Sequence, residues 1–411
     1  MKKTIWLLVA GALSILLLMG CSNGENAGEK DGKVKIEFFH HKREGMETFN
    51  KLIEKFEAEN PNITVEQASP PEPSTVIRTR VSKRDVPDII AVGGDMTYKD
   101  LTDAGIFTDV SDDKNLELVQ PAYTQMLQDI SGKEEIYAIP FVTNAVGVIY
   151  NKDIFDELGL EVPTTWDEFI EVAEKVKAEG QIPFYHTYKD AWTLLPTFNA
   201  LAANTQGEDF YDELNSGNIL AGERYREVAE KIVKLADYGH ANQQGVAYND
   251  GNTAFANGKA AMYLQGIWAI PELKKINPDI NVGVFPFPVT NDPEQTKLVS
   301  GIDLILGVTE TSKHKEEAMK FVEFLLEEEN AQQYIDEQNA FSALEGIIQE
   351  DPSVEALNES FEKGALSDFP DHYIPTGVSP EKSLQTLVQD KDVDSFLKKI
   401  QSDWEKVENR K

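Results

Sequence analysis

A short apolar run that ends at two consecutive glycines constrains the fold of this chain most. Residues 87–92, PDIIAV, are typical of a buried parallel strand whose end leads into a ligand-facing loop. Earlier in the chain, apolar residues alternate over 34–38, take helical spacing over 49–56, and return as a strand at 63–65. Strand, helix and strand in this order predict an open α/β sheet.

A second set of elements begins with a strand at 146–150. Thr165 and Glu168 then have the spacing of a capping box, which predicts a helix that starts after Thr165 and stops at Gly180. Apolar residues at helical spacing predict further helices over 224–236, 315–328 and 393–407. The body shows no internal repeat, so the sequence does not favour a solenoid or a propeller.

Charge and length narrow the function classes. The 411 residues include 39 Lys and Arg against 71 Asp and Glu, a formal net charge of -32. Such a chain repels nucleic-acid phosphates and anionic lipid headgroups, which excludes a nucleic-acid partner. With 41% hydrophobic residues it is long enough for two substantial cores, so we expect two domains or one bilobed body.

The N-terminus predicts export and a lipid anchor. Met1–Lys3 is basic and residues 5–18 are apolar, a run shorter than a membrane span but typical of a secretory signal. The following Leu-Met-Gly-Cys resembles the lipobox of bacterial lipoproteins, and Cys21, the only cysteine, would carry the lipid. We therefore expect a signal peptide over 1–20, a flexible tether over 21–32, and a protein anchored to the extracytoplasmic face of the cell membrane. An unprocessed signal-anchor helix is the alternative.

Several segments of the body carry a family resemblance, and they occur in the expected order at 136–176, 255–270, 282–288 and 300–325. Together they resemble the extracellular solute-binding proteins of ATP-driven sugar importers, the maltose-binding-protein-like group. The resemblance implies an α/β fold of type II, a monomer without a cofactor, whose two lobes close by a hinge around ligand. The closed form would be recognised by the transmembrane subunits of an ABC permease. By similarity the lobes comprise 33–142 with 301–343, and 143–300 with 344–411.

Sugar chemistry points to particular side chains. Aromatic faces suit the C–H surfaces of sugar rings, whereas carboxylates, amides, Lys and His bond pairs of hydroxyls. Trp192 follows Asp190 in a polar loop, and Trp268 follows Gly266, which allows a backbone or ligand to come close. Each tryptophan is a candidate platform for a sugar ring, or alternatively a core residue.

Within that family, the chain most resembles the binding proteins for raffinose-type and isomaltose-type α-1,6-linked oligosaccharides. The resemblance rests on FFHHKRE at the first strand end, Gly-Ile-Asp at 301–303, and Phe-Pro-Asp-His at 369–372. It implies two stacking aromatics, several hydroxyl partners and a donor from the first lobe. The stacking aromatics would be Phe369 and Trp268, and the hydroxyl partners would be Asp371, His372 and Asp303. The donor from the first lobe would be Lys42, whose place His41 or Glu44 could take. Asp95 and Asn144 are further candidates, and Tyr373 has no assigned role.

We expect a binding protein rather than an enzyme, and other functions are alternatives that the residues favour less. A glycoside hydrolase needs two positioned carboxylates, and no motif singles out a pair. His40, His41 and the Asp371–His372 pair could supply metal ligands, but neighbouring residues of a strand point to opposite faces, so the two histidines should not share one ion. An amine such as a polyamine, or a peptide, would suit the acidic composition.

Overall fold

The computed structural model describes residues 33–207, 210–215, 220–363 and 365–409. The predicted signal peptide, the tether and the lipidation site Cys21 lie outside these residues. Within the described ranges, no helix combines the length and the apolar composition needed to cross a membrane.

The strands are β1 (Val34–His40), β2 (Ile63–Ala68), β3 (Ile89–Ala91), β4 (Ile139–Asn151), β5 (Met262–Gly266), β6 (Val282–Phe285), β7 (Leu298–Val308), β8 (Phe341–Ser342) and β9 (Leu366–Ser367). The helices of the first half are α1 (Met46–Glu59), α2 (Pro73–Ser82), α3 (Met96–Asp103), α4 (Pro121–Ser131), α5 (Lys152–Leu158), α6 (Trp166–Ala178), α7 (Leu195–Thr205) and α8 (Phe210–Asn215). Those of the second half are α9 (Ala221–Arg224), α10 (Arg226–Ala236), α11 (Tyr248–Ala256), α12 (Ala269–Ile276), α13 (Lys315–Leu326), α14 (Glu328–Gln338), α15 (Asn358–Glu362), α16 (Pro380–Asp390) and α17 (Val393–Glu408).

The strands form one curled sheet in the order β2-β1-β3-β7-β4-β5. Strand β1 lies parallel to β2 and β3, as the strand, helix, strand pattern predicts. Strands β4 and β7, of 13 and 11 residues, pair antiparallel along most of their length. Because they are nearly all buried and longer than their neighbours, they run from one half of the molecule into the other.

The apolar residues gather into two large cores and one smaller cluster. The first core contains Ile36, Phe38 and Ile89 from the early strands, and Leu304 of β7. The second core contains Val146 and Val148 of β4, Phe169 of α6 and Trp404 of α17, and the smaller cluster surrounds Tyr263. Strand β4 supplies Phe141 to the first core and Val146 to the second, so the crossing strands join the two lobes.

Local sequence signals agree with the structure where they are strongest. The capping box is present, since Glu168 N–H donates to Thr165 Oγ1 at 3.3 Å and Thr165 N–H donates to Glu168 Oε2 at 3.1 Å. The helix that follows ends at Ala178, two residues before Gly180.

The predicted C-terminal end of the helix over 315–328 is wrong, because the helix ends at Leu326 and a second helix begins at Glu328. Glu327 adopts extended backbone, with φ −61° and ψ 137°, and separates α13 from α14. The Asn330 amide donates to the carbonyl oxygen of Phe324 at 2.7 Å and satisfies a carbonyl at the end of α13. That side-chain bond to the backbone stabilises the break.

Candidate functional site

A cavity of about 180 Å³ lies where the crossing strands pass between the cores. Seven of the ten side chains predicted to bind ligand line it, together with Leu195, Pro196 and Asn199 of α7. The seven are Asn144, Trp192, Trp268, Asp303, Phe369, Asp371 and His372. They come from β4, β7 and three separate segments around 192, 268 and 369–372, which the fold brings to one place.

A buried ion-pair cluster forms the first-lobe side of this site. Lys42 Nζ lies 2.6 Å from Asp303 Oδ2 and 2.8 Å from Glu44 Oε1. The Asn144 side-chain amide donates to Asp303 Oδ2 at 2.6 Å, and His41 Nε2 lies 3.7 Å from Asp303 Oδ1. A second, narrower space shares Asn144 and Asp303 with the cavity and adds Lys42 and Glu44, so Lys42 is placed at the site's edge.

Asp303 and Lys42 of this cluster both stay ionised at neutral pH. Burial acts to raise the pKa of Asp303, but Lys42 and His41 outweigh it and hold that pKa far below its usual range. Burial acts to lower the pKa of Lys42, but Asp303 and Glu44 outweigh it and raise that pKa well above its ordinary value. At neutral pH the site therefore presents a carboxylate and an ammonium side by side.

The two neighbouring histidines have different surroundings, as strand alternation predicts. His40 ends β1 fully buried, stacks on Phe38 with ring centroids 5.0 Å apart, and its Nε2 lies 2.9 Å from Gln67 Oε1. Burial lowers the pKa of His40 to about 4, so it is neutral. His41 lies toward Asp303 instead. Among the described residues, no three His, Cys, Asp or Glu side chains are grouped as a metal site.

The loop around the Asp-His pair forms the second-lobe side of the site. Residues Pro370–Tyr373 make a single 3-10 turn with proline at its start, which fixes the backbone. Asp371 N–H donates to Asn199 Oδ1 at 3.0 Å, while Asp371 Oδ1 is buried without a hydrogen-bond partner in the described part of the chain. Burial raises the pKa of Asp371. A buried acceptor left unsatisfied beside a cavity is available to a ligand.

The aromatic residues differ in how much surface they offer. Trp192 is 40% exposed and tilts against Tyr248, with ring centroids 4.9 Å apart. The ring of Trp268 lies directly over the Cα of Gly266, where any side chain would overlap it, so the glycine accommodates this tryptophan itself. Phe369 is only 8% exposed, packs into the second core and stacks on His372 at 4.9 Å and 27°. Phe369 therefore supports His372 as well as lining the cavity.

Asp95 has a structural role that the sequence interpretation missed. Its Oδ1 accepts from Thr97 N–H at 2.6 Å, so it is the N-cap of α3. It does not line the 180 Å³ cavity, although its charge acts on both Asp371 and His372.

Three further contributors were not assigned from the sequence alone. Asn199 of α7 holds the backbone of the Asp371 turn, and nothing in the sequence marks it. Asp368 lies under His372, and the i, i+4 spacing of the two was a usable signal. Tyr373 packs against the first core although its neighbours belong to the second, which makes it a contact between the lobes.

Comparison with known proteins shows the family of this chain. Residues 41–332 match the family model for bacterial extracellular solute-binding proteins. The multiple sugar-binding protein of Streptococcus mutans is 33% identical over 354 residues, which cover 84% of this chain and 83% of the relative. The melibiose/raffinose/stachyose-binding protein MelE of Bacillus subtilis is 24% identical over 369 residues, covering 84% and 82%.

Solved structures share the fold. The solute-binding protein RafE in complex with raffinose superimposes with a TM-score of 0.80 at 30% identity, covering 90% of this chain and 99% of that one. The apo form of RafE from Streptococcus pneumoniae gives a TM-score of 0.76 at 28% identity, with 92% and 98% covered. The predicted two-lobed α/β fold is confirmed.

Proposed function

The chain belongs to the bacterial extracellular solute-binding proteins, and on that premise we propose that it is the sugar-binding lipoprotein of an ABC importer. Its ligand would be an α-1,6-linked oligosaccharide of the raffinose or isomaltose type, held between the lobes and delivered to the permease. The lipid on Cys21 would anchor a monomer to the extracytoplasmic face of the membrane. The proposed lobes are 33–142 with 301–343, and 143–300 with 344–411.

One observation carries the proposal. A single cavity is lined by the two tryptophans Trp192 and Trp268 together with the titratable side chains of Asp303, Asp371 and His372. The tryptophans Trp192 and Trp268 suit the apolar faces of sugar rings. Asp371 offers a buried acceptor with no partner among the described residues, and His372 lies beside it. This is the combination of flat surfaces and convergent polar groups that oligosaccharides require.

The choice of sugar class rests on the same residues and on two relatives. The protein from S. mutans is named for binding multiple sugars, and RafE was solved with raffinose. Both are at least 30% identical to this chain. Asp303, Phe369, Asp371 and His372 are the positions through which the raffinose-type resemblance was drawn.

We expect raffinose, melibiose or isomaltotriose to raise the melting temperature of the purified protein. A ligand at 100 times its dissociation constant stabilises the folded state by about 2.7 kcal/mol, provided that it binds only that state. The measurement is a thermal-shift series that also contains maltose, spermidine and zinc. Stabilisation by maltose alone would reject the α-1,6 preference, and stabilisation only by spermidine or zinc would reject the sugar-binding function.

A further inference from the structure

Asp368 is a buried carboxylate placed behind the sugar-facing side chains. Its side chain is 8% exposed, and its Oδ1 lies 3.1 Å from His372 Nδ1. The same oxygen accepts from Phe369 N–H at 2.7 Å. The imidazole of His372 also stacks on the ring of Phe369. The stacking fixes the plane of the imidazole, and the contact with Asp368 fixes its direction.

The crossing strand β7 provides the space for this carboxylate. A side chain at Gly301 would overlap Asp368 Oδ1 and the ring of Phe369, so both residues lie against the bare backbone of β7. Asp303 lies two residues further along the same strand and lines the cavity. Strand β7 therefore supplies Asp303 to the cavity and, at Gly301, leaves room for Asp368 and Phe369.

We propose that Asp368 is a positioning residue that keeps His372 charged and oriented, so that His372 acts on the bound sugar as a hydrogen-bond donor. This inference rests on the proposed function. Asp368 lines neither of the spaces that hold the other site residues, so it acts through His372.

The chemistry follows from the two ring nitrogens. With Nδ1 bonded to the carboxylate, Nε2 is the nitrogen left for the cavity. In the imidazolium Nε2–H donates, whereas in the neutral ring with Nδ1–H toward Asp368 it can only accept. The charged form also makes the stronger hydrogen bond. Loss of one proton would thus reverse the polarity that His372 shows to a hydroxyl.

All the carboxylates around the ring favour its charged form. Burial acts to lower the pKa of His372, but Asp368, Asp371 and Asp95 outweigh it and raise that pKa to about 9. Asp368 contacts the ring directly, Asp371 lies in the same turn, and Asp95 reaches it from the start of α3 in the first lobe. Asp303 of β7 lines the same cavity. Of these, Asp368 is bonded to His372.

The test is the pH dependence of raffinose binding, measured by calorimetry on the full-length protein and on the Asp368→Asn variant. In the wild type the affinity should stay constant through neutral pH and fall about tenfold as pH rises through 9. In Asp368→Asn the same fall should occur at least about two pH units lower, because the main raising charge is lost while burial remains. The control is Glu66→Gln, which removes one exposed negative charge whose only ion-pair partner among the described residues is Lys35. It should leave the pH midpoint of the fall in affinity unchanged.

A second measurement covers the case in which Asp368→Asn does not fold. Carbon-13-labelled histidine gives six resonances to follow with pH, and His372→Gln identifies the one from His372. We expect that resonance to titrate near pH 9 in the wild type, and raffinose affinity to lose its alkaline fall in His372→Gln.

Titration of His372 at or below its ordinary value of about 6.5 would overturn the inference. So would an identical affinity midpoint in wild type and Asp368→Asn. In either case raffinose still binds and the proposed function stands, whereas absence of raffinose binding at every pH would reject the proposed ligand itself.

Discussion

Replacing Asp303 with asparagine is expected to lower the free energy of unfolding by about 3 kcal/mol. The change leaves the buried ammonium of Lys42, 8% exposed in its side chain, with Glu44 as its remaining charged partner. A buried charge that loses its partner costs more than the pair contributes. Urea unfolding at pH 7 measures the effect.

A matched double variant separates this cause from general damage to β7. In Lys42→Met with Asp303→Asn no buried charge is left unpaired, and Glu44, 37% exposed in its side chain, can be solvated. The double variant should therefore regain at least about 1 kcal/mol of the loss. Strictly additive effects of the two substitutions would contradict the account of the cluster.

The effect should also depend on pH in a defined direction. The folded-state pKa of Asp303 is lowered, so its contribution is fully present above the unfolded value of about 3.9. It is lost as the pH falls from there through the folded-state pKa. The difference between wild type and Asp303→Asn should accordingly persist at pH 5 and shrink in stronger acid.

Replacing Asp371 with asparagine should weaken raffinose binding about 5- to 150-fold, equivalent to about 1–3 kcal/mol. Asp371 Oδ1 is buried and has no partner among the residues described, so in the unliganded protein the carboxylate carries a desolvation cost. The uncharged amide removes that cost. We therefore expect the unliganded variant to melt at the same temperature as the wild type or higher.

Opposite effects on affinity and stability distinguish a binding residue from a structural one. Calorimetric titration and thermal unfolding of Asp371→Asn give the two quantities. Asp390→Asn, the same change at the exposed end of α16, is the control and should alter neither. Unchanged raffinose affinity in Asp371→Asn would remove this turn from the site.

The parts of the fold that could be predicted from the sequence are those in which a few neighbouring residues determine the local structure. The apolar run before the two glycines is β3, and Thr165 with Glu168 makes the predicted cap. Such signals act over a few residues and need no distant partner. Local pattern predicted only the 146–150 part of β4, which extends over Ile139–Asn151, and the lobe boundaries were expected from the family resemblance.

What the sequence did not yield depends on contacts between distant segments. Asp95 is predicted as a further first-lobe candidate because it follows two glycines, and its hydrogen bond to Thr97, which makes it a helix cap as well, was not foreseen. Asn199 reaches the Asp371 turn across 172 residues, and no local pattern encodes that bond. Tyr373 acquires its role, contact with the first core, only once the two lobes meet.

The central claim is that an oligosaccharide binds between the two tryptophans and the Asp-His turn. A crystal structure of the protein with raffinose tests it most directly. The account predicts a sugar ring against Trp268, with hydroxyls bonded to Asp371 Oδ1 and to Nε2 of His372. Raffinose bound elsewhere, with Asp371 still unpaired and the cavity without sugar, would contradict it.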